Sequence, residues 1–326
     1  MDIFVTGGSG FVGQHLVRTL AGAGHRVRAL ARSSASADIV ASAGAQPARG
    51  DVTDRDALHQ GMQGCDVAVH AAAYTEQWGP PKRFEQINVG GTDAVLTAAR
   101  SAGVRRVIHL STEAVLADGR PLIRVDETYP QPAHPIGDYA RTKALAEQRV
   151  LAANGDGLAT AVVRPRFVWG PGDTTILPAL VDAARRGKFA WIDGGRYLTS
   201  TCHVSNACAG ITLALERARA GEIYFLTDGE PVQLREFLIA LAATEGATLP
   251  DRSLPRRVAW TLAVAAEATW KLLRLSSEPP ITRTFLALSA QEMTVDDSKA
   301  RRELGFRPVL SRDAGLAALA SPDPAS

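Results

Sequence analysis

Residues 3–13 read Ile3-Phe4-Val5-Thr6-Gly7-Gly8-Ser9-Gly10-Phe11-Val12-Gly13. A short apolar run leads straight into glycines at 7, 10 and 13, and a helical pattern follows over residues 11–23. Each glycine has a physical role at that spacing. Gly7 permits a tight turn, Gly10 lets backbone approach an anion closely, and Gly13 lets the helix pack on the strand. A pyrophosphate would rest on the helix N-terminus, where unpaired N–H groups and the helix dipole favour negative charge. Gly8, Ser9, Phe11 and Val12 complete the loop that would line it.

Outward from this turn, short β-branched runs alternate with helical stretches. Strands are expected at 26–30, 67–70, 106–110 and 159–163, and helices at 83–103 and 138–154, with a helical or loose stretch before Gly44. That alternation predicts βαβ units and a doubly wound parallel sheet. The strands read as solid apolar runs because both faces of such a sheet are covered. After residue 165 glycine and proline cluster and the alternation stops. The expected division is a Rossmann-type domain over 1–165, to which 201–228 returns through a helix at 204–217 and a strand at 223–226. A smaller, discontinuous substrate region would comprise 166–200 and 229–320, with a loose tail from Ser321.

The 326 residues are enough for roughly two domains. A net charge of +2 excludes a strongly basic nucleic-acid binder. Cys65, Cys202 and Cys208 are too few for a disulfide framework and lack zinc spacing, so no metal is expected. The N-terminus lacks a secretory pattern, and no uncharged apolar run is long enough to span a bilayer. A cytoplasmic protein is therefore expected. The histidines at 15, 25, 59, 109 and 134 are scattered and are expected to be structural or exposed.

The end of the second strand bears on the nucleotide. An acid there would meet ribose hydroxyls, whereas an arginine accommodates an extra 2′-phosphate. The stretch is Leu30-Ala31-Arg32-Ser33-Ser34, which favours NADP over NAD through Arg32. Tyr139 and Lys143 lie four apart and share a helix face. An ammonium beside the phenol is expected to draw its pKa from about 10 towards neutrality, giving a usable acid/base. Ser111 and Thr112 follow the strand at 106–110, where ligands of open α/β sheets bind.

These three features, in this order, resemble the extended short-chain dehydrogenase/reductase family, with likeness from about residue 3 to about 310. The resemblance implies hydride transfer between a nicotinamide and a secondary alcohol or ketone. Tyr139 would be the acid/base, Lys143 its tuner and ribose binder, and Thr112 the hydroxyl that orients the substrate oxygen, with Ser111 beside it. Asp51-Val52 looks like the pair that holds adenine, Ala71-Ala72-Ala73 after His70 like the cofactor-lining segment, and Asn88 to Thr92 like the helix motif behind the catalytic residues. Pro165 and Val168 look like part of the segment closing over the nicotinamide, and Tyr74, Trp78, Glu113 and Arg166 are the residues expected to face substrate. A homodimer through helices 83–103 and 138–154 is likewise implied.

Two departures separate the chain from the nucleotide-sugar epimerases and dehydratases of the same family. Thr112-Glu113 is followed by Ala114 instead of a second acid, and Thr199-Ser200 stand where an Arg-Asp pair would meet the diphosphate, leaving Arg196 as the substitute. Trp78-Gly79-Pro80 and the segment 254–275 resemble the 3β-hydroxysteroid and sterol dehydrogenase branch. That segment carries Trp260, Leu262, Val264, Trp270, Leu272 and Leu273, edged by Arg256, Arg257, Lys271 and Arg274. It is expected to wall an apolar substrate, rest on a membrane surface or form the core of the second region. A bulky apolar substrate (sterol-like, isoprenoid or β-keto) follows. A nucleotide-sugar epimerase or dehydratase is the first alternative, and a non-catalytic NADP sensor the second.

Overall fold

The computed structural model describes residues 1–76, 78–273, 275 and 277–321. Arg274 and the tail beyond Ser321, both singled out above, lie outside the described residues.

Seven parallel strands form the central sheet: β1 (Asp2–Thr6), β2 (Arg26–Ala31), β3 (Gln46–Arg49), β4 (Val67–His70), β5 (Arg106–Leu110), β6 (Ala159–Pro165) and β7 (Glu222–Leu226). Their spatial order is 3-2-1-4-5-6-7 in this numbering. The order reverses between β1 and β4, so a crevice opens at the carboxyl ends of those strands. Helices cover both faces: α1 (Phe11–Gly22), α2 (Ser34–Ser42), α3 (Arg55–Met62), α4 (Gly91–Ser101), α5 (Gly137–Ala152) and α6 (Val204–Arg217). One core layer joins Val5, Leu16, Leu20, Ile211 and Tyr224, and the other joins Phe4, Leu58, Val95, Val107 and Val162.

Three details differ from the sequence reading. The edge strand β3 and helix α3 are not among the elements expected from the sequence: β3 is partly buried and contains a proline, and α3 is only eight residues long and buries just Leu58, Gly61 and Met62. The helix expected over 83–103 is interrupted: Pro81–Phe84 is α-helical, Glu85–Gly90 is a π-helical turn, and α4 follows. The wide turn points Asn88 inward, where it accepts from the Tyr74 N–H at 2.7 Å and donates to Thr142 Oγ1 at 3.0 Å. Finally, Leu122–Val125 leaves the first region and pairs with Met293–Val295, which is joined to Leu198–Thr199 and Val232–Gln233 in a second, four-stranded sheet.

The late segment forms helix α7 (Arg256–Leu272). Its buried stripe is Ala259, Ala263 and Glu267, spaced by four, and it packs on the helix Arg283–Ser289. Leu262, Val264, Leu272 and Leu273 are exposed. The small residues allow close helix approach, and Glu267 is neutralised by Arg283 at 2.7 Å.

Candidate active site

The crevice collects most of the expected residues because each follows the carboxyl end of a strand. The glycine loop follows β1, Arg32 follows β2, Asp51-Val52 follows β3, Ala71 to Tyr74 follow β4, and Ser111 to Glu113 follow β5. Pro165 ends β6, with Arg166 and Val168 just beyond it. Tyr139 and Lys143 come from the first two turns of α5.

The loop has the shape of a phosphate cradle. Gly7 has φ +74°, and a Cβ on Gly13 would stand 2.0 Å from the Gly7 carbonyl oxygen. A Cβ on Gly7 would stand 2.6 Å from the Ala72 nitrogen. Gly10 is the N-cap of α1 and brings no side-chain cap, so the first-turn N–H groups have no intrahelical partner. Those groups fit a dinucleotide pyrophosphate. Val52 packs against Gly91, while Asp51 is exposed and accepts from Thr53. Arg32 is exposed and makes no ion pair among the described residues. Ser33 instead caps α2 in a reciprocal pair with Ser36.

Two hydroxyls side by side have different partners. Ser111 donates to Glu147 Oε2 at 2.7 Å. Glu147 is fully buried, receives Arg164 through two nitrogens, and accepts from Gln131 at 2.7 Å. The Ser111 hydroxyl is thus turned into a buried ion pair. Thr112 donates to Glu113 Oε2 at 2.9 Å and accepts from the Ala114 N–H, capping a single 3₁₀ turn. Glu113 is buried and receives Arg166 Nη1 at 2.8 Å, while Arg166 Nη2 reaches the Leu288 carbonyl and Thr199. Glu113 and Arg166 thus hold each other rather than standing free for substrate. The position expected of a diphosphate arginine is a buried threonine bonded to that pair, and Arg196 is exposed.

Burial pushes the Tyr139 phenol pKa up, the charge of Glu113 adds to this, and a hydrogen bond with Thr112 opposes it. The expected depression by Lys143 is therefore not found. The ammonium is directed elsewhere, donating to the Leu110 carbonyl at 2.7 Å and lying 3.1 Å from His109 Nε2. Burial lowers Lys143 to about 8, with Glu147 pulling the other way. His109 is buried and held well below the usual imidazole range, first by burial and then by Lys143. As a neutral ring it can accept from the ammonium.

His109 and Glu147 are the residues that sequence reasoning missed. His109 is the β5 partner of His70 on β4, their rings 5.1 Å apart, so aligning the two strands could have paired them. Glu147 lies one helical turn beyond Lys143. Tyr74 packs edge-on against Phe84 at 4.7 Å, and Lys271 of α7 stands 5.8 Å from the Trp78 ring. Phe167, between Arg166 and Val168, has φ +48°, a backbone cost that a turn at the crevice rim sustains.

The chain is 50% identical to the 4-hydroxy-2-methyl-3-oxo-4-farnesyl-3,4-dihydroquinoline-1-oxide ketoreductase of Stigmatella aurantiaca, over all of this chain and 97% of that one. It is 37% identical to the 2-alkyl-3-oxoalkanoate reductase of Stenotrophomonas maltophilia strain K279a, covering 97% of each chain. Among solved structures, it is similar to a double mutant of DesIV, a dTDP-glucose 4,6-dehydratase from Streptomyces venezuelae, with NAD and DAU bound, with a TM-score of 0.78, 27% identity, and coverage of 98% of this chain and 96% of the other. The 3-beta hydroxysteroid dehydrogenase/isomerase family model matches residues 4–256, and the chain belongs to that family of nicotinamide-dependent oxidoreductases.

Proposed function

We propose that the protein reduces the ketone of a bulky apolar substrate with NADPH, NADH being the alternative donor. The observation that carries this reading is the placement of the Tyr139 phenol at the crevice beside Thr112 and Glu113, where burial and the Glu113 charge favour its neutral form. A neutral phenol is the form that can donate a proton to an alkoxide as it develops. When bound, the nicotinamide supplies the hydride. Tyr139 delivers the proton to the former carbonyl oxygen. Thr112, which donates a hydrogen bond to Glu113 and bonds the phenol, would help orient the phenol and the substrate oxygen beside it. Lys143, fixed by Leu110 and His109, presents the charge that would meet ribose hydroxyls. The cradle of Gly7, Gly10 and Gly13 would hold the pyrophosphate.

The exposed, unpaired Arg32 supports NADP through its 2′-phosphate. The two reductases named above support a keto substrate with an apolar body. A nucleotide-sugar dehydratase would need a second acid where Ala114 stands, and Glu113 is tied to Arg166. A sensor without chemistry would not need Tyr139, Lys143 and Thr112 together. Residues 166–200 and 229–320 are the part that would close over substrate. Three buried, free cysteines accord with a cytoplasmic setting, and the homodimer rests on the resemblance alone.

Absorbance of NADPH, followed with steroid ketones, 2-alkyl-3-oxo acids, prenylated quinoline ketones and a UDP-sugar, tests the reading. Oxidation by apolar ketones and none by the UDP-sugar is expected, and the reverse pattern refutes it. Arg32→Asp should shift preference towards NADH by about 1.5–3 kcal/mol, the scale of a charge-assisted hydrogen bond.

A further inference from the structure

From the packing of β4, β5 and α5 we infer that His109 is a positioning residue for hydride transfer, a neutral imidazole whose Nε2 lone pair holds and aims the Lys143 ammonium. His109 Nε2 lies 3.1 Å from Lys143 Nζ, and both side chains are buried. An ammonium carries three donors and no acceptor. His109 Nε2 must therefore accept, which leaves the ring proton on Nδ1. That Nδ1 is buried and has no hydrogen-bond partner among the described residues. A buried donor without a partner is a cost that native proteins rarely carry without a functional reason. A phenylalanine would fill nearly the same space and orphan nothing. What the histidine adds is the acceptor nitrogen, and the partner of that nitrogen is Lys143.

The neighbouring ring has the opposite tautomer, and hydroxyls fix it. Thr92 Oγ1 donates to the Asn88 carbonyl at 2.6 Å, so at 2.9 Å from His70 Nε2 it can only accept. His70 therefore carries its proton on Nε2, and its Nδ1 accepts from Thr6 Oγ1 at 2.8 Å. With both nitrogens engaged, His70 offers nothing to Lys143 or to His109, although the two rings are 5.1 Å apart. Burial holds both imidazoles neutral, His70 at about 3 and His109 well below the usual range, and the Lys143 charge adds to this. The other titratable groups that bear on Lys143 are Tyr139 and Glu147, one turn to either side on α5, with Arg164 of β6 bound to Glu147 and Glu113 beside Tyr139. The Leu110 carbonyl and His109 take two of the three ammonium N–H groups, and the third is the one left for a ribose hydroxyl. Loss of either acceptor would let the ammonium turn. A hydrogen bond to the charged form also favours that form, so His109 joins Glu147 in opposing the effect of burial on Lys143. The catalytic part of this role rests on the ketone-reductase reading.

Nitrogen-15 NMR of the full-length protein labelled at histidine tests this without any turnover, the His109 signals being those that vanish in His109→Gln. The wild type should show His109 as the Nδ1–H tautomer, the minor form of free histidine, and neutral from about pH 6 to about pH 9. An Nε2–H or cationic ring overturns the proposal. Carbon-13-labelled lysine then follows Lys143, whose signal Lys143→Arg identifies. His109→Phe should lower its titration midpoint from about 8 by about 1–2 pH units, the scale of a hydrogen bond to a charged group. His109→Gln puts an amide oxygen near the place of Nε2 and should keep the midpoint close to wild type. The alkaline limb of kcat/KM for ketone reduction should move with the midpoint in the first variant and return in the second. A folded His109→Phe protein with both the midpoint and the limb unmoved would leave His109 a packing residue and sink the proposal. If His109→Phe does not fold, the wild-type tautomer decides, because it is read in the native protein. A wild type that oxidises NADPH with no ketone counts against the reductase reading, and the two NMR measurements still decide this one.

Discussion

Two sets of hydroxyl, glutamate and arginine lie next to each other at the end of β5, built from the same residue types. Ser111, Glu147 and Arg164 form the inner set, and Thr112, Glu113 and Arg166 the outer. Thr112 is extended, so it and Ser111 face opposite sides, and Arg164 and Arg166, on either side of Pro165, reach Glu147 and Glu113 respectively. The inner carboxylate accepts from Ser111, Gln131 and Arg164 and raises Lys143 against the effect of burial. The outer carboxylate accepts from Thr112 and Arg166 and raises Tyr139. One carboxylate thus favours the charged lysine and the other the neutral phenol. A shift of one residue along the chain separates a group that works through Lys143 from one that works through Tyr139.

The largest expected effect lies on the outer side. Tyr139→Phe removes the proton donor and keeps the ring, so turnover should fall by about 10²–10⁴-fold, roughly 3–5 kcal/mol in the barrier. Its melting temperature and NADPH affinity should stay near wild type. An active Tyr139→Phe protein would detach the outer set from the chemistry.

The next effect sets the two hydroxyls against each other. Ser111→Ala deletes a hydrogen bond to a buried carboxylate and should cost about 1.5–3 kcal/mol of stability. Its turnover at low temperature should be little changed. Thr112→Ala loses a cap worth about 1 kcal/mol and frees the phenol to misalign, so turnover should fall about tenfold or more. Urea unfolding and initial rates on both variants give the comparison. Equal losses of turnover at equal stability would erase the distinction between inner and outer sets.

Much of this site was legible because its signals are local. The glycine loop, the Tyr139–Lys143 spacing and the hydroxyls after β5 each sit within a few residues, and the elements around them follow apolar periodicity. What stayed hidden depends on tertiary neighbours. His109 gains meaning only when β4 lies beside β5, and Glu147 only when β6 brings Arg164 to it. The π-turn adds a residue to a helix without disturbing its apolar pattern enough to be seen. The direction of the Tyr139 shift was misjudged because the sequence shows an ammonium four residues away but not the burial around the phenol or the carbonyl that claims that ammonium. In α7 two stripes compete, one of alanines and one of leucines. Hydrophobicity alone favours burying the leucines, whereas close packing on a neighbouring helix buries the alanines.

The smallest effect is one of pH, and it isolates the inner set. Burial lowers Lys143 to about 8, so the ammonium is present at neutral pH and is lost as pH rises through that value. Reduction should therefore be flat below about pH 8 in kcat/KM and fall above it, approaching tenfold per pH unit, about 1.4 kcal/mol. Tyr139 cannot produce this limb, because its phenol is pushed up and stays protonated well beyond it. His109 cannot either, since it is already neutral. Lys143→Arg distinguishes the source. A guanidinium keeps its charge across the range, so the alkaline limb should vanish. The plateau should drop as well, because a planar fork does not replace a compact ammonium between the Leu110 carbonyl and His109 Nε2. A limb that persists near pH 8 in Lys143→Arg would assign it to another group and break the link between Glu147, Lys143 and the chemistry.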